Sequence, residues 1–205
     1  MKTICRYLDV SVLNDKALFT SCFDAIPWNA RKEKINSFRF EKDRRLSLGA
    51  GIVLEAVLRD FEVTDSRIRI EKNGKPMLES GEIFFSVSHS GTMAVCAASR
   101  TPVGADVEEI RPVQRESLMR FLHEEEQDMI RNAEDPDLAF FRIWTRKESL
   151  GKRSGEGIAR SLRKESLVSF HPADSIFFHE VSVNHHLITV CTEERDSVHF
   201  LKTEL

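Results

Sequence analysis

Apolar residues recur along the chain with two different periods, which together predict a mixed α/β protein. From residue 41 to 61 and from 135 to 151 they stand three and four positions apart, as in helices with one buried face. Charged stretches over 29–38 and 114–131 predict further helices. Shorter apolar runs predict strands over 4–12, 68–70, 83–88, 93–98, 103–110, 176–183, 187–192 and 198–201.

A faint internal repeat suggests two similar halves, residues 1–101 and 102–205. The segment 85–96 resembles 180–191, and Ser47-Leu48-Gly49 on the first long helix recurs as Ser149-Leu150-Gly151 on the second. Each half would then hold a long helix and a small antiparallel sheet. Short strand motifs also recur by chance, so the repeat alone leaves duplication open. If the halves are real, a ligand is expected at their interface.

Composition narrows the class of protein. The chain has 205 residues, 41% of them apolar and 31% charged, which is enough for a folded core. With 30 basic and 33 acidic residues, a nucleic-acid partner is not expected. Four cysteines stand far apart, without the spacing of a zinc site or a disulfide scaffold. No stretch predicts a membrane span or an apolar leader. We therefore expect a cytoplasmic protein with no membrane partner.

Two acidic motifs carry the first candidate chemistry. Asp106 and Glu108 are two residues apart on a predicted strand, so both carboxylates point to the same side. Glu148 lies on the second long helix, between Lys147 and Lys152. Taken singly, the first motif is also typical of a solvated strand face, and the second of an ordinary Glu148–Lys152 pair. Together the three carboxylates suit one Mg²⁺ ion, and lysines nearby imply a phosphate or pyrophosphate ligand.

Two further groups of polar residues suit an anionic ligand. Ser88 and His89 stand in an SHSG segment at a predicted strand end, where hydroxyl and imidazole groups could bind phosphate oxygens. A polar hairpin turn with an exposed histidine is the alternative. A scattered basic set could act in the same way, although a solvated charged face is its more common meaning: Arg31, Lys34, Arg45 and Lys75.

The order of these motifs resembles the 4′-phosphopantetheinyl transferases, most closely the Sfp-type class. The resemblance runs from about residue 31 to 158 and rests on five segments: GKP at 74–76, SVSHSG at 86–91, VGADVE at 103–108, WTRKESLGK at 144–152 and GEGI at 155–158. It implies an α/β (α+β) fold of two halves related by a pseudo-twofold axis, and a protein that functions as a monomer. It also implies transfer of the phosphopantetheine arm of coenzyme A to a serine of an apo acyl or peptidyl carrier protein.

The resemblance implies a role for each matching residue. Asp106, Glu108 and Glu148 match Mg²⁺ ligands, Glu148 and Lys152 match the catalytic positions, and Ser88 and His89 match contacts to the coenzyme A phosphates. Four basic residues match the remaining coenzyme A contacts: Lys75, Arg31, Lys34 and Arg45. Adenosine 3′,5′-bisphosphate would be the second product. A non-catalytic coenzyme A-binding module and a Mg²⁺-dependent pyrophosphate hydrolase are the alternatives.

Overall fold

Two larger sheets, one two-stranded sheet and six α-helices form the main elements of the computed structural model. The structure describes residues 2–72, 74–157, 166–168, 176–193, 195 and 197–205. The first sheet has the order β4-β5-β1-β9 and the second the order β7-β8-β6. All neighbours are antiparallel except β1 and β9. Their bounds are β1 Thr3–Asp9, β4 Phe84–Ser90, β5 Met93–Ser99, β6 Gly104–Glu109, β7 Phe177–Val183, β8 His186–Thr192 and β9 Val198–Lys202.

The helices lie outside the sheets, and a short hairpin completes the described chain. A 3₁₀ turn at Val10–Asn14 follows β1, and the hairpin pairs β2 with β3. The remaining bounds are α1 Lys16–Ala25, α2 Asn29–Ser37, α3 Glu41–Asp60, β2 Ile68–Ile70, β3 Pro76–Leu78, α4 Arg115–Met119, α5 Glu124–Arg131 and α6 Pro136–Ser154. Asp135 caps α6 with its side chain and Pro136 opens it, as the sequence predicts. The helix continues past residue 151, where the sequence predicts its end, and stops at left-handed Gly155.

Two faces of the first sheet bury two different cores. Ala94, Cys96 and Ala98 of β5 pack in the core beneath α3, whereas Met93 and the other alternate residues of β5 pack against the second sheet. The second sheet contributes Ala105, Val107, Ile188 and Val190 to that shared core. Helix α6 covers its other face. The layers therefore run helix, sheet, sheet, helix, with each long helix on its own sheet.

The mixed α/β fold with two long helices and antiparallel sheets is confirmed, with several local corrections. The strands β4-β5-β1 of the first sheet are arranged like β7-β8-β6 of the second: the two strands of a hairpin are followed by a strand from earlier in the chain. The first sheet has β9 as an additional strand. The boundary between residues 101 and 102 stays a prediction. The first strand ends at Asp9 rather than at residue 12, because the 3₁₀ turn starts there. The single helix predicted over 114–131 is wrong, since the chain forms α4 and α5 instead.

Several sequence expectations concern single residues. The four cysteines are all free thiols. No helix within the described ranges is long and apolar enough to cross a bilayer. Asn73 of the predicted Asn-Gly turn and Ile158 of the GEGI segment lie outside the described residues. Gly74 has a φ of +84°, which agrees with a tight turn at this position.

Candidate active site

A close approach of α6 to β6 builds the candidate site. A Cβ atom added to Gly104 would lie 1.9 Å from the carbonyl oxygen of Ser149 and 2.6 Å from the backbone nitrogen of Arg153. Only a glycine lets the helix backbone pack this closely on the strand. The contact brings one face of α6, which carries Glu148 and Lys152, beside the carboxylates of β6.

Asp106 is the buried centre of this arrangement. Asp106 is only 3% exposed to solvent. Lys152 Nζ lies 2.6 Å from Asp106 Oδ1, and the Ser88 hydroxyl donates a 2.7 Å hydrogen bond to the same oxygen. Lys152 Nζ also donates to Ser88 Oγ at 2.8 Å. Strand β4 of the first sheet, strand β6 of the second sheet and helix α6 therefore meet at one carboxylate.

A ladder of serines on β4 holds the neighbouring strand β6. Ser86, Ser88 and Ser90 alternate along β4, so their side chains share one face. Ser86 Oγ accepts a 3.0 Å hydrogen bond from the backbone N–H of Ala105, and Ser90 Oγ donates a 2.7 Å bond to Glu108 Oε2. Ser88 contacts Asp106 and Ser90 contacts Glu108, and both serines lie on the same face of β4. The expectation that the carboxylates of Asp106 and Glu108 point to one side of β6 is therefore confirmed.

The three predicted carboxylates lie in one electrostatic neighbourhood. Partial burial raises the pKa of Glu148, and the negative charges of Asp106 and Glu108 raise it further. Partial burial likewise raises the pKa of Glu108; the Ser90 hydrogen bond opposes this increase and Asp106 adds to it. A carboxylate with a raised pKa is a better proton acceptor than an ordinary exposed one, and such groups concentrate at functional sites.

The carboxylates are not arranged as a ready-made metal cluster. Within the described part of the chain, no three His, Cys, Asp or Glu side chains are placed to hold a metal ion together. The cation beside Asp106 is instead the ammonium of Lys152. Asp106 Oδ2, however, is buried and finds no hydrogen-bond partner among the described residues. An unpaired carboxylate oxygen next to two other carboxylates is the kind of donor set that suits Mg²⁺.

A cleft of about 270 Å³ opens beside Lys152. The GKP segment around Lys75, strand β4 at Ser86 and the end of α6 up to Gly155 line it. Lys75 Nζ donates hydrogen bonds to the carbonyl oxygens of Lys152 and Arg153, at 2.7 and 3.2 Å, and so caps the C-terminal end of α6. Burial lowers the pKa of Lys75. The structure therefore places both predicted lysines at the same cleft.

A basic cluster lies next to Ser88 on β4. Partial desolvation by neighbouring protein atoms lowers the pKa of the His89 imidazole, and the positive charges of Lys152, Lys34 and Arg31 lower it further. Burial lowers the pKa of Arg31 as well. His89 lies within the strand itself, with its side chain at the surface, rather than in the hairpin turn that was the alternative.

Arg45 lies in a different environment from the other predicted basic residues. Its guanidinium is 3.6 Å from the carboxylate of Glu41, one turn earlier on α3. Together with Phe19 and Phe23 of α1 it lines a second cavity, of about 370 Å³. Among the described residues, the positive charges that lower the pKa of His89 are those of Lys152, Lys34 and Arg31 and do not include that of Arg45. Its assignment to coenzyme A stays a prediction.

Lys147 has a role that sequence reasoning missed. The motif suggests a second lysine facing an anionic ligand, but the side chain is 1% exposed and pairs with Glu126 of α5. The one feature of the sequence that indicates burial of Lys147 is its position three residues after Trp144, on the buried face of α6. The contacts of Ser86 and Ser90 with β6 were also not predicted, since nothing in the sequence indicates that β4 and β6 lie side by side.

Comparisons with known proteins agree with this geometry. A model described as the 4′-phosphopantetheinyl transferase superfamily matches residues 102–199, and one described as 4′-phosphopantetheinyl transferase, N-terminal, matches residues 15–101. The 4′-phosphopantetheinyl transferase Sfp of Bacillus subtilis (strain 168) is 30% identical over 138 residues, which is 64% of this chain and 62% of the relative. HetI of Nostoc sp., another 4′-phosphopantetheinyl transferase, is 38% identical over 141 residues, 62% and 59% of the two chains.

A third relative extends the same pattern. The 4′-phosphopantetheinyl transferase gsp of Aneurinibacillus migulanus is 31% identical over 144 residues, which cover 66% of this chain and 60% of the relative. The chain thus spans about three fifths of the length of the curated relatives that it matches. The two family models together run without a gap from residue 15 to residue 199. The chain therefore belongs to the 4′-phosphopantetheinyl transferase superfamily, a family of enzymes.

Proposed function

We propose that this protein transfers the 4′-phosphopantetheine arm of coenzyme A to a serine of an apo acyl or peptidyl carrier protein and releases adenosine 3′,5′-bisphosphate. The observation that carries the proposal is the meeting of Ser88, Asp106 and Lys152 at hydrogen-bond distance beside a cleft. Relatives that bear the name of this transferase support the substrate class.

Asp106, Glu108 and Glu148 are the proposed ligands of Mg²⁺. The unpaired Oδ2 of Asp106 and the raised pKa values of the two glutamates support this assignment, because a cation would relieve the repulsion between the carboxylates. When bound, Mg²⁺ supplies charge neutralisation at the pyrophosphate of coenzyme A. The lysine and the hydroxyl already next to Asp106 would then face the same phosphate oxygens.

The chain's own residues support a direct displacement at phosphorus. The carrier serine oxygen forms a bond to the β-phosphorus of coenzyme A, and the bond from that phosphorus to the bridging oxygen breaks. Glu148, or a water that it orients, takes the serine proton; the water is favoured because a carboxylate that holds Mg²⁺ is a poor free base. The ammonium of Lys152 donates a hydrogen bond to the oxygen that leaves with adenosine 3′,5′-bisphosphate. Positioning and electrostatics therefore supply most of the acceleration.

Coenzyme A itself is proposed to bind along the cleft and the basic cluster. Lys75 and Ser88 would contact the pyrophosphate, and His89 with Arg31 and Lys34 would surround the 3′-phosphate. The support is the common location of these cations around β4 and the cleft. Protonated His89 would bind a phosphate better than neutral His89, so ligand binding should draw a proton to this imidazole. Arg45 is retained as a proposed contact.

We place the carrier protein at α4 and the turn that follows it. Arg120 and Phe121 are exposed there, and the Arg120 guanidinium lies 4.8 Å from the centre of the Phe121 ring. An acidic helical partner suits an exposed arginine beside an exposed aromatic ring. Arg115, in contrast, pairs with Asp137 at the beginning of α6. We also propose a cytoplasmic monomer, since one chain supplies both sheets that border the site.

Intact-mass spectrometry tests the proposed activity. The protein is incubated with coenzyme A, Mg²⁺ and a panel of apo carrier proteins, each alongside a variant of the carrier whose acceptor serine is alanine. The expected result is a gain of about 340 Da on the serine carriers alone, the mass of a phosphopantetheine group carrier arm. Absence of this gain from every carrier in the panel would refute transfer. Coenzyme A binding without the gain would favour the non-catalytic module.

A further inference from the structure

A fully buried ion pair joins the two helices behind the candidate active site. Lys147 of α6 is 1% exposed and Glu126 of α5 is 0% exposed, and Lys147 Nζ lies 3.0 Å from Glu126 Oε1. Removing both charges from water carries a desolvation cost that apolar residues of similar volume would avoid. A contribution to stability is therefore a weak explanation for a lysine and a glutamate at these positions.

Glu126 connects three segments of the chain. Its Oε1 also accepts a 2.8 Å hydrogen bond from the backbone N–H of Leu167, and its Oε2 accepts a 3.0 Å bond from the backbone N–H of His123. The bond from His123 belongs to the capping box that begins α5. Because both donors are backbone groups, they hold the carboxylate in one orientation. The oriented carboxylate in turn fixes the ammonium of Lys147.

Lys147 directly precedes Glu148 on α6, and Lys152 follows little more than one helical turn later. Since α6 is continuous, a constraint on Lys147 restrains the rotation and the axial position of both neighbours. Asp106 lies on a different element, strand β6. A displacement of the reacting groups by about 1 Å can lower a rate by about a hundredfold. Small shifts of α6 therefore matter to the chemistry.

We infer that the Lys147–Glu126 pair is a positioning device for the transfer reaction. It fixes α6 against α5, so that Glu148 and Lys152 keep their places relative to Asp106. Both members of the pair are fully buried, so they act through Glu148 and Lys152 rather than on the substrate directly. The inference rests on the proposed function, and it adds two residues whose effect on turnover is indirect. It also links the catalytic helix to the α4–α5 segment, where we place the carrier protein.

Three variants separate positioning from simple stability. Lys147→Met leaves Glu126 buried without its cation, and the melting temperature should fall by about 10 °C. The double variant Lys147→Met with Glu126→Gln removes both charges, and its melting temperature should recover about half of that loss. Recovery is partial because the glutamine amide can accept from only one of the two backbone N–H groups, those of Leu167 and His123. In both variants kcat should be lower by about tenfold, with the KM for coenzyme A changed by less than about twofold. Arg142→Met is the matched control.

Arg142 lies on the same helix as Lys147 and pairs at 2.9 Å with Glu180 of β7, in a partly exposed position. Its loss should therefore leave kcat within about twofold of wild type. If kcat recovers along with the melting temperature in the double variant, the pair is merely structural and the inference is wrong. If the lysine variants do not fold, Glu126→Gln alone decides, with kcat expected to fall by about fivefold. An inactive wild-type protein would refute the proposed function instead.

Discussion

Gly104→Ala is the most direct perturbation of the contact that builds the site. The new Cβ would lie 1.9 Å from the carbonyl oxygen of Ser149, and that oxygen must retreat to at least 3.4 Å for ordinary contact. The required displacement of α6 from β6 is therefore about 1.5 Å. The oxygen belongs to the helix backbone, so a change of side-chain rotamer cannot relieve the clash.

Both stability and turnover should respond to this displacement. Overpacking of this kind costs about 3 kcal/mol, which corresponds to a decrease of about 9 °C in the melting temperature of a domain of this size. Because Glu148 and Lys152 move with α6, the rate of transfer should also fall by about a hundredfold. Circular dichroism measures the first effect, and intact-mass time courses at a temperature where both proteins are folded measure the second.

Gly81→Ala is the matched control for Gly104→Ala. Gly81 has a φ of +66°, and an added Cβ would have no atom within 4 Å from the described residues beyond its chain neighbours. Its substitution therefore introduces backbone strain without a clash. We expect a loss of about 1 kcal/mol and unchanged turnover. If Gly104→Ala were as stable and as active as Gly81→Ala, α6 would not depend on this close approach, and the account of how the site is assembled would be refuted.

Three further substitutions test separate parts of the account. Glu148→Gln should lower transfer by at least about a hundredfold. Folding raises the pKa of Glu148 above its ordinary 4.5, so ionisation of this carboxyl destabilises the folded state once the pH exceeds 4.5. The variant should therefore have a higher melting temperature than wild type at pH 7.5, and the difference should vanish below pH 4.5. Equal melting curves at pH 7.5 would contradict this reasoning. Lys34→Ala should weaken coenzyme A binding by about tenfold in calorimetry, whereas exposed Lys42→Ala should not. Arg120→Glu should raise the KM for an acidic carrier by about tenfold and leave the KM for coenzyme A unchanged, and equal values for the carrier would remove α4 from the docking surface.

The long helices and most strands could be predicted because their patterns are long and regular. Helix α3 buries a continuous apolar stripe, which makes its period visible in the sequence. Helix α1 was missed although Leu18, Phe19, Cys22 and Phe23 stand at helical spacing and pack against the first core. The segment is short, and none of its residues is fully buried. The break after α4 depends on His123, which starts a new capping box with Glu126. Such side-chain caps are weak sequence signals beside the charged stretch that surrounds them.

The acidic residues of the site could be predicted from the sequence, whereas the side chains that hold them in place could not. The spacing of Asp106 and Glu108 fixes their common side on any strand. Their contacts with Ser88 and Ser90 require that β4 and β6 lie side by side although they belong to different sheets. Local pattern contains no information on such a pairing. The burial of Lys147 likewise depends on a glutamate in a different helix, so its motif suggested a ligand contact instead.

The stoichiometry of the two products tests the central claim most directly. The protein is mixed with coenzyme A, Mg²⁺ and a carrier that gains mass, and adenosine 3′,5′-bisphosphate is quantified by chromatography at each time point. We predict one nucleotide released per carrier serine modified, and no release when the carrier is omitted or its serine is alanine. Steady release of the nucleotide without a carrier would show that water is the acceptor, and it would contradict a transferase site at Asp106, Glu148 and Lys152.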